Sequence, residues 1–188
     1  MSTSERRKRY SADAVATWAN GITVGRVLIA PALFATISGR NGSWLSLVLW
    51  FLVCASDGVD GYVARRHGVT SSGAFLDPLA DKILVLGAMF TLVREGVFWV
   101  VPVVIIATRE IIISVYRTVV GTQGVSVPAK KLAKVKTVSQ QFAVAFALFP
   151  LTAQSRWLWN VLLWVAVVLT LVTGWQYLSA SRLKRSPA

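Results

Sequence analysis

Four of the eight acidic residues of this 188-residue chain lie within one 25-residue window: Asp57, Asp60, Asp77 and Asp81. They sit in SDGVDGYVARRHGVTSSGAFLDPLADK, with the apolar run LSLVLWFLVCA before it and ILVLGAMF after it. If both flanks are helical, Asp57 and Asp60 share one face, and Asp77 and Asp81 share another. Arg65, Arg66, His67, Gly68 and TSSG then form the turn. At a rise of about 1.5 Å per residue, Asp57 lies roughly 12 Å and Asp60 roughly 8 Å below Arg65, and the second pair descends similarly from Gly73. Gly58, Gly61, Gly73 and Ala74 allow the two backbones to approach closely, and Pro78 suits a first helical turn, where its missing N–H removes no helical bond. Four carboxylates at one depth repel one another and resist desolvation unless protons or cations neutralise them. Two divalent cations do so. Hard oxygen donors suit Mg²⁺ or Mn²⁺, and a pair about 3.5–4 Å apart clamps a phosphoryl group for in-line displacement. The plainer alternative is a set of carboxylates buried against arginines.

The elements that must position these groups are read from the rest of the chain. It is 55% hydrophobic, with a mean hydropathy of +0.60, where soluble domains run at roughly 45–50% apolar. Six apolar stretches, near 20–38, 43–64, 74–93, 97–119, 132–150 and 157–179, approach the roughly 20 residues that cross a bilayer. Short segments rich in Gly, Pro, Ser and Asn separate them. The expected fold is all-α: a six-transmembrane-helix bundle with a cytoplasm-facing active-site cavity. It forms a single domain over 1–188, with a basic segment at 1–19, the bundle at 20–179 and a basic tail at 180–188.

Charge supplies the orientation. With six spans, one side collects Arg6, Arg7, Lys8, Arg9, Arg65, Arg66, Arg117, Lys130, Lys131, Lys134, Lys136, Arg182, Lys184 and Arg185, and the other holds Arg40, Arg94 and Arg156. Fourteen cations against three predict cytoplasmic termini. The net charge of +12 is therefore read as topology and anionic-lipid contact, not nucleic-acid binding. No cleavable signal peptide is expected after MSTSERRKRY, and the single Cys54 allows no internal disulfide. Trp18, Trp44, Trp99, Trp157, Trp159 and Trp175 fall near span ends, as an interfacial belt would.

The spacing D-x-x-D-G-x-x-A-R-x7-G-x-x-x-D-x-x-x-D, met by Asp57, Asp60, Gly61, Ala64, Arg65, Gly73, Asp77 and Asp81, resembles the signature of the CDP-alcohol phosphatidyltransferases. The resemblance implies a six-helix fold, a homodimer, a CDP-linked lipid substrate and two metal ions. It implies Asp57, Asp60 and Asp77 as metal ligands, and Asp81 as metal ligand and general base. Asn20, Gly61, Ala64, Arg65, Thr70 and Gly73 are implied around the CDP group. The residue types agree: glycine admits close backbone approach, and arginine suits a pyrophosphate. An acceptor hydroxyl, deprotonated with help from Asp81, would attack the lipid-side phosphate and release CMP. A covalent enzyme intermediate is not expected, because Cys54 reads as core, His67 reads as a turn residue, and neither has an evident activating partner.

Outside the signature, NGITVGR (Asn20 to Arg26), TRE (Thr108 to Glu110) with Arg117, and KVKTVSQQ (Lys134 to Gln141) resemble segments of the bacterial branch that makes phosphatidylglycerophosphate. Ala19 and Ala133 stand where that branch usually has Pro and Gly. Arg26, Arg109, Glu110 and Arg117 lie in or at the ends of apolar stretches, where a charge needs a partner or a wet cavity. Glu110 can satisfy one arginine, so the others fit an anionic acceptor. The expected substrates are CDP-diacylglycerol and sn-glycerol 3-phosphate, with the acceptor phosphate held by Arg109, Lys136 and Arg117. Two alternatives stay open: a sibling enzyme using inositol phosphate, serine or a lipid-linked alcohol, and a divalent-metal transporter. Repeated halves with broken helices mark many transporters; this chain has a single acidic cluster.

Overall fold

The computed structural model describes residues 18–67, 71–122 and 131–183. Six helices carry them: α1 (Trp18–Thr36), α2 (Trp44–His67), α3 (Ser71–Arg94), α4 (Val100–Thr122), α5 (Lys131–Leu148) and α6 (Arg156–Leu183). There is no strand among the described residues. Each apolar stretch read from the sequence is a helix, and the differences lie at the ends.

Around the signature those differences matter. Helix α2 continues through Arg65, Arg66 and His67, and α3 already begins at Ser71, so six residues of the expected turn are helical, and 68–70 lie outside the described residues. Arginines in the last turn of a helix are favoured by its dipole, which explains why α2 does not stop before them. Arg65 and Gly73 are helix residues rather than turn residues, and so is His67. Pro78 sits in the eighth position of α3, not in its first turn, where it deprives the Ala74 carbonyl of its usual donor.

Helices α5 and α6 form an antiparallel hairpin with the most extensive packing of the bundle. Helix α4 packs on α6 and α3, α1 packs on α2 and α3, and α5 also meets α2 and α3. Leu33, Trp50, Met89, Leu92, Ile106, Val144, Leu148 and Leu163 fill the centre. Cys54 packs against this core, as expected.

The end remote from the signature is closed by hydrogen bonds. Helix α3 stops in a Schellman turn: Gly96, at φ +68°, donates to the Val93 carbonyl at 2.9 Å, and Val97 donates to Leu92 at 2.9 Å. The Gly39 N–H reaches the Glu95 carboxylate at 2.9 Å, tying the α1–α2 connection to this turn. Ser43 donates to the last carbonyl of α5, Leu148, at 2.9 Å. Gly42 lies so close there that a Cβ would stand 2.5 Å from the same oxygen. Trp44, Trp99, Trp157 and Trp175 are exposed, as a belt requires. Trp159 is not part of it: it is buried, stacks on Phe98 at 5.3 Å and donates to the Ala153 carbonyl at 3.2 Å. A buried indole is retained where its N–H finds an acceptor.

Candidate active site

The signature spans the last turns of α2 and the first half of α3. Helix α2 carries Asp57, Asp60, Gly61, Ala64 and Arg65, and α3 carries Gly73, Asp77 and Asp81. Asp81 is half-buried and engaged by a partner. The side chains of the other seven, and of Asn20 in α1 and Arg117 in α4, lie outside the described residues, as does Thr70 altogether. The close α2–α3 approach expected at Gly58, Gly61, Gly73 and Ala74 falls on the same undescribed side chains. By chemistry, a donor set made of carboxylates alone fits a hard divalent cation.

Four helices build a second polar site inside the bundle. On α4, Arg109 Nη1 donates to Glu110 Oε1 at 3.2 Å. Lys136 Nζ, from α5, donates to that same oxygen. From α6, Thr173 Oγ1 accepts from Arg109 Nη2 at 2.7 Å. Helix α3 supplies Lys82, whose Nζ donates to Ser114 Oγ, and Ser114 in turn donates to the Glu110 carbonyl. The side chains of Arg109, Glu110 and Lys136 are 11%, 9% and 5% exposed.

One carboxylate thus faces two cations, and the triad keeps one positive charge in surroundings that water does not screen. Buried charge without compensation costs several kcal/mol. Arg109 Nε is buried without a hydrogen-bond partner, and so is Gln140 Nε2, one turn beyond Lys136 on α5. Spare donors together with a spare positive charge suit an anion carrying several acceptor oxygens, and phosphate is the natural fit for guanidinium plus ammonium.

Arg109 and Lys136, expected together around an acceptor phosphate, both bond Glu110 Oε1. Sequence reasoning assigned Glu110 to one arginine, whereas Glu110 serves Arg109 and Lys136 together. Arg26 is buried within α1 and engaged, as a charge in an apolar helix should be. Lys82, Ser114, Gln140 and Thr173 were missed. Lys82 carried a readable signal, a lysine opening the apolar run ILVLGAMF. Thr173 carried a faint one: with Thr170, three residues before it, it is one of two threonines in the run VLLWVAVVLTLVTGW.

Residues 16–172 match the sequence pattern of the CDP-alcohol phosphatidyltransferase family, and the chain belongs to that family. It is therefore an enzyme of a membrane-associated, divalent-metal-using group. Among its relatives is the CDP-diacylglycerol–glycerol-3-phosphate 3-phosphatidyltransferase of Bacillus subtilis, 40% identical over 85% of this chain and 92% of the relative. The protein of the same name from Rickettsia felis is 31% identical over 87% of this chain and 94% of its own. A probable phosphatidylglycerophosphate synthase of Mycobacterium tuberculosis is 34% identical over 88% and 81%.

Proposed function

We propose that the protein transfers the phosphatidyl group of CDP-diacylglycerol to sn-glycerol 3-phosphate, giving phosphatidylglycerophosphate and CMP. The observation that carries the acceptor is the buried Arg109–Glu110–Lys136 triad with its surplus positive charge. An unphosphorylated alcohol such as serine would leave that charge uncompensated. The names of the relatives point the same way.

In this reading Asp57, Asp60, Asp77 and Asp81 hold two divalent cations, Mg²⁺ or Mn²⁺. Bound there, the ions supply charge neutralisation for the phosphoryl group in flight. Asn20, Gly61, Ala64, Arg65, Thr70 and Gly73 surround the CDP group, and Arg65 orients its pyrophosphate. Arg109 and Lys136, supported by Arg117, hold the acceptor's phosphate and aim its free hydroxyl at the lipid-side phosphorus. Asp81 takes the hydroxyl proton, the new O–P bond forms, and the P–O bond to CMP breaks.

The setting is a single domain that crosses the membrane six times, with its active-site cavity and both termini in the cytoplasm, and that works as a homodimer. Among the described residues one segment, Arg156–Gln176, is long and apolar enough by itself to cross a bilayer. Support for the other five comes from the surface. Every helix turns large apolar side chains outward, among them Leu28, Phe51, Phe90, Ile111, Phe142 and Leu171. Apolar cover of that extent suits lipid rather than water. The inward-facing ions of α4 and α5 pair with one another, and Lys82 of α3 bonds the Ser114 hydroxyl.

The test is an acceptor panel on purified protein with CDP-diacylglycerol, following CMP release. Glycerol 3-phosphate should be the best acceptor. A preference for serine or inositol phosphate would replace this acceptor and leave the phosphatidyltransferase assignment intact.

A further inference from the structure

Helix α6 holds none of the signature residues, and Thr173 and Gly174 lie just past the stretch that matches the family pattern. Their geometry nevertheless points into the anion site. The Thr173 hydroxyl has one proton, and it is spent within the helix on the Leu169 carbonyl at 2.7 Å, with Thr170 O at 3.1 Å. Toward Arg109 the oxygen can only accept, and it does so at 2.7 Å. The guanidinium is then fixed at two points: Nη1 on Glu110 from its own helix, and Nη2 on Thr173 from another. One anchor would leave the group free to turn about its stem; two on different helices fix its plane. Nε remains buried and without a partner. Gly174 leaves the arginine room, since a Cβ there would press on Arg109 Nε at 3.3 Å and touch its Cγ at 3.5 Å.

We propose that Thr173 is a positioning residue for the acceptor phosphate: it orients Arg109 while Gly174 gives the arginine its passage, so α6 belongs to the acceptor site. The proposal rests on the reading of Arg109 as an acceptor-phosphate ligand. Preorganising a bidentate donor matters because an arginine that must first be ordered binds its anion more weakly.

The experiment compares steady-state kinetics of purified wild type, Thr173→Val, Thr173→Ser, Gly174→Ala and Arg109→Gln, varying glycerol 3-phosphate and CDP-diacylglycerol in turn. Valine keeps the shape of threonine and removes the acceptor oxygen; serine keeps the oxygen. Arg109→Gln leaves Glu110 paired with Lys136, a neutral couple, so it should still fold. Thr173→Val should raise the KM for glycerol 3-phosphate about three- to ten-fold, the scale of one hydrogen bond to a charged group, with the KM for CDP-diacylglycerol unchanged. Thr173→Ser should recover the wild-type value to within about two-fold on the same scale. Gly174→Ala crowds Arg109 Nε by a few tenths of an ångström and should raise the same KM by a smaller factor. Thr173→Ala, which also removes the acceptor oxygen, takes the place of Thr173→Val if that variant does not insert. An unchanged acceptor KM in Thr173→Val and Gly174→Ala, or equal rises for both substrates, overturns the proposal. If Arg109→Gln raises the acceptor KM while those variants do not, only the positioning role is lost. If Arg109→Gln itself has no effect on acceptor KM, the acceptor reading fails and the proposal goes with it.

Discussion

An ionised carboxylate inside an apolar helix persists only when something stabilises it, and two kinds of partner are at issue in this chain. Glu110 is neutralised by side chains of the protein itself, Arg109 and Lys136. The signature aspartates are read as metal ligands. Their replacement by Asn should therefore act through metal binding: Asp57→Asn, Asp60→Asn and Asp77→Asn keep the size, remove a ligand charge and should reduce turnover to near background while the protein still inserts. Chelation of the wild type by EDTA should do the same, reversed by Mg²⁺ or Mn²⁺. Asp81→Asn should also abolish turnover yet retain CDP-lipid binding, because its added task is to receive the acceptor proton. Near-normal rates for Asp81→Asn at saturating Mg²⁺, measured as CMP release, would remove it from the base role.

At the scale of elements, the bundle joins a hydrogen-bonded end to a charged end. Glu95 illustrates the first: its carboxylate links the α3 cap to the α1–α2 connection. The Gly39 N–H, and next to it the Arg94 side chain, hold its pKa below the ordinary 4.5. A carboxylate whose pKa is depressed by folding favours the folded state fully above its unfolded pKa, and the benefit disappears as pH falls through the lower folded value. Glu95→Gln should therefore lower the melting temperature of detergent-solubilised protein at pH 7, and the gap to wild type should close as the pH is taken below 4.5. A gap that persists unchanged at low pH would mean that Glu95 acts through shape rather than charge.

The same scale explains what the sequence could reveal. Helix interiors were readable because apolar runs such as ILVLGAMF leave little choice in lipid. The ends were not, because Gly68 and TSSG look like one long turn, while the chain keeps Arg65 to His67 in α2 and starts α3 at Ser71. Of the candidate site, the charged members were legible: Arg109 and Lys136 are costly in apolar surroundings and so call for a reason. Thr173 was not, because a hydroxyl can satisfy itself on the carbonyl four residues back and so needs no partner. Only the fold shows that its remaining lone pairs are used.

For the whole molecule, charge predicts which way the bundle faces. Lys136 is committed inside the bundle to Glu110, so it does not belong in the charge count for the loops; removing it still leaves thirteen cations against three. An imbalance of that size directs the cation-rich side to the cytoplasm, which is also where the signature ends of α2 and α3 lie in the six-span reading. An even number of spans then sets both termini on that side. The only cysteine, Cys54, is partly buried against the core, so single cysteines introduced at Ser2 and Ser186 can be followed after Cys54→Ala. Both should resist a membrane-impermeant maleimide in intact cells and react once the cytoplasmic side is opened. Labelling of both from outside would invert the bundle and put the aspartates on the wrong side of the membrane for a cytoplasmic nucleotide-linked lipid. Labelling of only one would make the number of spans odd, and one of the five helices other than α6 would have to lie outside the bilayer.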